Sequence, residues 1–158
     1  LDNVKSRLSF WEYDEVKGEW KFQDSEVEPV IRGASLRAID SDTSDLCWFT
    51  TSTFLIPSQL SILDASLGAT AVASSMSTPL KCLPAQYDAT KFVEEQGQAT
   101  SADGTVVPFF ILRAKDIKYD GSNPTLLYGY GGFEISLLPS YTAITGTTWL
   151  QNGGVYVR

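Results

Sequence analysis

Pro124-Thr125-Leu126-Leu127-Tyr128-Gly129-Tyr130-Gly131-Gly132-Phe133 changes character halfway along. Its first half is a short apolar run behind the turn signal Gly121-Ser122-Asn123-Pro124. That pattern predicts a central strand over residues 125–128, buried on both faces in a mainly parallel sheet. Its second half holds three glycines in four positions. Lacking a Cβ, they open the φ > 0 region and let the backbone approach another group closely. A strand running into such a loop and then toward a helix sets free donors at the carboxyl edge of a sheet, where α/β proteins bind ligands.

Outward from this stretch, Asp103-Gly104 reads as a tight hairpin turn in which both residues tolerate φ > 0. It is followed by an apolar strand over residues 106–112, whose Pro108 must turn its nitrogen toward an edge or bulge. Residues 91–100 form a charged edge strand in this reading, with Glu94 and Glu95 at the surface. Downstream, Tyr141, Ile144, Trp149 and Leu150 have near-helical spacing. Asn152-Gly153-Gly154 ends that helix and Val155-Tyr156-Val157 starts another strand, so that strand, loop, helix and strand make a right-handed crossover.

The first half of the chain reads as β. Residues 7–22 form an aromatic hairpin with its turn at Glu15-Val16-Lys17-Gly18, and the acidic residues 23–32, including Pro29, form a loop or frayed edge. Strands follow at residues 34–39, 46–51, 59–63 and 70–73. Four short strands at regular spacing suit one propeller blade, and about 85 residues supply roughly two blades. On strand pattern alone a small sandwich or meander fits equally well. The Ser- and Thr-rich residues 74–84 suit a crossing between domains, with the boundary near residues 84–88.

With 158 residues, 43% hydrophobic and 20% charged, the chain is globular in composition and no apolar run reaches a membrane span. Leu1 in place of Met, and a strand as the last feature, lead to the expectation that both ends are cut. The net charge of -7 is concentrated in residues 1–45, which carry 11 acidic and 6 basic side chains. Without a basic stripe, nucleic acid is excluded as a partner. Cys47 and Cys82 fit neither a metal site nor a disulfide framework and read as two reduced, buried thiols. Asp40-x-Asp42-x-x-Asp45 lacks the glycine and closing glutamate of a calcium loop and reads as a solvated turn. No cofactor is called for.

Tyr128-Gly129-Tyr130-Gly131-Gly132-Phe133-Glu134-Ile135-Ser136, with Pro139-Ser140-Tyr141 and Asn152-Gly153-Gly154-Val155, resembles the start of the catalytic domain in the prolyl oligopeptidase family of serine peptidases. The resemblance is strongest over residues 103–158 and continues to about Asp40. There, the run through Phe49, Pro57 and Leu63 to Leu83-Pro84-Ala85 is similar to a last propeller blade. It implies a β-propeller fragment of about two blades over residues 1–85, followed by the first part of an α/β-hydrolase sheet over residues 86–158.

It further implies that Tyr130 donates its phenol O–H to the oxyanion, with Gly131 and Gly132 making room and Phe133 lining the substrate pocket. A neutral phenol suits that task, since it donates without importing charge. From the residues alone, a tight turn with Tyr128 and Tyr130 as half-buried aromatics remains a rival account. Gly131-Gly132-Phe133 points to the branch that cuts after proline, so short proline-containing peptides are the implied partners and the cytoplasm the implied setting. The chain has no histidine and no Gly-x-Ser-x-Gly elbow, so no Ser-His-Asp site can be assembled from it. An inactive piece of an endopeptidase is the expectation, and a non-catalytic module keeping the loop as a pocket is the alternative.

Overall fold

The computed structural model describes residues 3–28, 30–133 and 135–158. Leu1, Pro29 and Glu134, each used in the sequence reading, lie outside them. The aromatic hairpin forms as predicted from β1 (Ser9–Asp14) and β2 (Glu19–Ser25). Asp14 organises its turn, its carboxylate accepting the amides of Val16 and Lys17 at 3.0 and 3.1 Å while Gly18 takes φ +67°. Across the strands Trp11 faces Phe22 and Tyr13 faces Trp20, both with ring centroids 5.3 Å apart. Such aromatic pairs are the unit of sheet stabilisation. They carry β2 on to Ser25, so residues 23–25 are strand and not loop.

A meander follows: β3 (Gly33–Ala38), β4 (Leu46–Ser52) and β5 (Gln59–Asp64) pair antiparallel in sequence order. The strand expected at residues 70–73 is instead the start of helix α1 (Thr70–Ser77). Ala71, Ala73 and Met76 favour helix, and alanine is poor strand material. Ala71, Val72 and Ser75 are buried together, on one helical face. The fourth strand is β6 (Lys81–Cys82), paired with β5 through Gln59 and Leu60. It lies inside the stretch expected to be a structureless crossing.

The second sheet contains β7 (Phe92–Thr100), β8 (Val106–Ala114), β9 (Thr125–Leu127) and β10 (Val155–Val157), in the order β7-β8-β10-β9. β7 is an edge strand, as predicted. The turn before β8 has three residues: the Ser101 amide donates to the Thr105 carbonyl and Gly104 alone adopts positive φ, at +87°. Phe110 exchanges both backbone bonds with Arg158. Since N–H directions alternate along a strand, Pro108 turns its nitrogen the same way, beyond the register of β10.

Two expectations about the glycine-rich stretch fail. β9 is a three-residue strand with β10 as its one neighbour among the described residues, and all three of its residues are exposed. It is therefore not a buried central strand, and β9 with β10 is the one parallel pair among three. Gly129, Gly131 and Gly132 do not have positive φ; Phe133 does, at +67°.

β9 and β10 are connected through helix α2 (Ala143–Thr148) and a 3-10 turn, Leu150–Asn152, which Gly153 closes at φ +85°. Gly146 of α2 lies against the Tyr87 ring, where an added Cβ would fall 2.0 Å from a ring carbon. Tyr87 is itself stacked on Tyr141 at 5.7 Å and cannot easily yield. Gly146→Ala gains about 1 kcal/mol of helix propensity and incurs about 1–3 kcal/mol of overpacking. The expected outcome is a net loss, read as a lower urea midpoint at unchanged slope; a higher midpoint would mean that the ring moves freely.

Two cores result. Phe10, Phe49, Leu63, Ala71 and Val72 join the hairpin, the meander and α1. Tyr87, Phe92, Phe110, Leu112, Leu150 and Tyr156 form the other, and Phe54, from the loop after β4, is inserted among them.

Candidate functional site

Because β9 and β10 are parallel, their carboxyl ends share one rim of the sheet. The Tyr128 amide donates to the Val157 carbonyl at 2.9 Å, carrying the ladder one residue past β9. The chain then leaves the sheet with Gly129. Tyr130 follows with 46% of its surface exposed, and among the described residues no partner engages its hydroxyl. Its ring is not plugged into the interior. Apart from its own chain neighbours, a Cβ at Gly131 or Gly132 would meet no atom of the described residues within 4 Å. Phe133 is 92% exposed in a left-handed conformation that a bulky residue rarely takes. The four residues named from sequence are thus consecutive on one exposed loop at the carboxyl rim.

Other groups collect near that rim. The Arg158 guanidinium, at the end of β10, donates to Ser140 Oγ at 3.2 Å, and its carbon lies 5.8 Å from the centroid of the Phe54 ring. The Thr142 amide and hydroxyl both donate to the Phe54 carbonyl, at 3.1 and 2.8 Å. Two concavities lie elsewhere. A groove of about 740 Å³ separates the hairpin from the meander, and one of about 430 Å³ lies over Ile111, Tyr119, Thr125 and Val157. Tyr130 lines neither.

The sequence has no histidine, so neither a Ser-His-Asp nor a Cys-His arrangement can be assembled from it, and among the described residues no cluster could hold a metal. Asp40 is spent on its own turn, accepting the Asp42 amide at 2.9 Å and the Thr43 hydroxyl at 2.8 Å, bonds that hold its carboxyl below the usual range. Cys47 is half-buried and Cys82 exposed, not both buried as expected. Burial, and then Asp45, push the Cys47 thiol up, away from reactivity.

Sequence reasoning misplaced Glu94. It is no surface residue: its Oε2 accepts the Phe54 amide at 3.0 Å. Burial pushes its carboxyl above the ordinary glutamate range, against the Thr53 hydroxyl and the Phe54 and Leu55 amides, which pull it down. The signal was available, because Phe92 and Glu94 share one face of a strand by their spacing of two, and Phe92 is core.

No protein-family model matches the chain. It is 40% identical over 156 residues to an uncharacterised peptidase, y4nA, of Sinorhizobium fredii, covering 99% of this chain and 20% of that one. It is 46% identical over 71 residues to the prolyl endopeptidase of Elizabethkingia miricola, covering 45% of this chain and 10% of the relative. The solved structure of a post-proline cleaving enzyme from Rickettsia typhi superposes with a TM-score of 0.70 at 28% identity, over 99% of this chain and 21% of that one. The chain spans about one fifth of the length of the y4nA peptidase and of the Rickettsia enzyme. A peptidase matches along nearly the whole chain in sequence, a prolyl endopeptidase matches over 45% of it, and a post-proline cleaving enzyme matches nearly all of it in fold; the chain belongs to the prolyl oligopeptidase family.

Proposed function

We propose that this chain is part of a serine endopeptidase that cuts short peptides after proline in the cytoplasm, and that it contributes the oxyanion donor to that reaction. In this reading residues 1–85, with the four-stranded sheet β3 to β6, are propeller blades. Residues 86–158 open the α/β-hydrolase sheet, with two antiparallel strands ahead of a parallel pair. The carrying observation is the half-exposed phenol of Tyr130, on a loop leaving the carboxyl rim beside two glycines that no described atom crowds, their chain neighbours apart. The phenol donates to the carbonyl oxygen as it gains charge, Gly131 and Gly132 leave the approach clear, and Phe133 packs on the substrate side chain next to the scissile bond. The attacking serine and its base come from outside these 158 residues, so the chain alone is inactive.

The test begins with the coding sequence beyond Arg158, which should continue into a Gly-x-Ser-x-Gly elbow. In the product of that longer frame, Tyr130→Phe should lower kcat on a proline-containing reporter by about 10²–10³ and leave KM nearly unchanged, because the bond forms only with the oxyanion. Equal turnover by the two forms would overturn the role given to Tyr130. Cleavage by the 158-residue chain alone would overturn its inactivity.

A further inference from the structure

Helix α1 is strapped to residues 24–32 at both ends. Ahead of its first turn, the Asp24 carboxylate accepts the Ala69 amide at 3.2 Å. In its last turn, Arg32 Nη1 donates to Met76 Sδ at 3.6 Å. Arg32 is buried, with Nη2 on the Glu26 carboxylate and the guanidinium over the Phe49 ring, and among the described residues its Nε has no partner. A thioether is a weak acceptor, so this buried cation has donor capacity that the fold leaves poorly used. Met76 is the one methionine in the chain. It is half-buried, packed against the core of Phe10, Phe49, Leu63, Ala71 and Val72 yet open to solvent.

We propose that Met76 is an oxidation site with Arg32 as its receptor, the sulfoxide tying α1 to residues 24–32 more firmly than the thioether does. In the step, a sulfur lone pair attacks one oxygen of hydrogen peroxide. An S–O bond forms as the O–O bond breaks. The sulfur is oxidised by two electrons, and the departing hydroxide takes the proton from the transferred oxygen and leaves as water. The product oxygen carries the negative end of the S–O dipole. A guanidinium N–H on such an oxygen makes a charge-assisted bond, roughly twice as strong as its neutral counterpart.

The usual consequence of this oxidation points the other way. A sulfoxide is polar, and in an apolar core it disrupts packing. With the apolar cluster alone around it, an oxidised Met76 would loosen α1. The Arg32 N–H reverses the sign, because the new oxygen meets a donor that the fold already holds in place. Glu26 need not yield, since its carboxylate stays on Nη2 and on the Leu8 amide.

Methionine sulfoxide reductases, one for each epimer, act in this chain on Met76 alone. Peroxide also reaches the two cysteines, so the comparison is the peroxide-treated chain before and after both reductases, with Met76→Leu carried through the same steps. Peptide mass spectrometry should find one added oxygen on Met76. The oxidised chain should unfold at a higher urea midpoint than the repaired one, and Met76→Leu should show no difference. By NMR, the Arg32 Nη1 protons should exchange about tenfold more slowly in the sulfoxide form, the factor that one hydrogen bond to a charged group supplies. In the double variant Arg32→Leu with Glu26→Gln, which lacks both charges, the same oxidation should lower the midpoint. Should that variant fail to fold, Nη1 exchange in the unaltered chain decides. A sulfur that peroxide leaves untouched, a lower midpoint for the oxidised unaltered chain, an equal gain in the double variant, or unchanged Nη1 exchange would each overturn the proposal.

Discussion

Phe54→Ala is expected to lower the stability of the chain by about 3–5 kcal/mol, the range for truncating a fully buried phenylalanine. The upper half of that range applies because the site cannot collapse. Phe110, Leu112 and Tyr156 belong to a paired sheet, and the Thr142 and Glu94 bonds to the Phe54 backbone keep the loop in place around the void. Loss of the ring also exposes one side of the Arg158 guanidinium, whose Nε already lacks a partner. The measurement is urea unfolding followed by tryptophan fluorescence, with the midpoint shifted at constant slope. A loss under 1 kcal/mol would mean that the loop does not bind the meander to the second sheet.

Arg32→Met should be comparably damaging, and for an electrostatic reason. Arg32 is 2% exposed, lies with its guanidinium carbon 5.8 Å from the centroid of the Phe49 ring, and pairs with Glu26, whose carboxylate also accepts the Leu8 amide at 2.9 Å. A buried pair adds little net stability, but removing one member strands the other charge and costs about 3–5 kcal/mol. Methionine fills much of the vacated volume, so the loss comes from Glu26 and not from a cavity. Adding Glu26→Gln should therefore recover most of it, since glutamine keeps an acceptor for Leu8 without the charge. Unfolding both variants side by side checks this: a double variant no more stable than Arg32→Met would locate the loss in packing instead.

How much of this could be read from residues alone depended on whether the cause was local. The hairpin was legible because aromatic alternation and Gly18 are local signals, and Gly153, which closes the 3-10 turn after α2, is another. Residues 70–77 misled because a valine flanked by alanines resembles a short strand until the burial of Ala71, Val72 and Ser75 on one face is seen. The environment of β9 was unreadable in principle. Leu126 and Leu127 are apolar enough for an interior strand, but whether a strand has one neighbour or two is decided by distant segments.

At the candidate site, the order Tyr130, Gly131, Gly132 and Phe133 gave away the loop and its rim, while its backbone conformation did not follow from glycine content. Glu94 and Phe54, forty residues apart, form a contact that no motif announces.

β9 has the composition of a middle plank and the position of an outer one. Along its outward side the peptide groups of residues 125–127 have no ladder among the described residues, a ready template for another extended segment. Whatever strand docks there would run directly beneath the departure point of the Tyr130 loop.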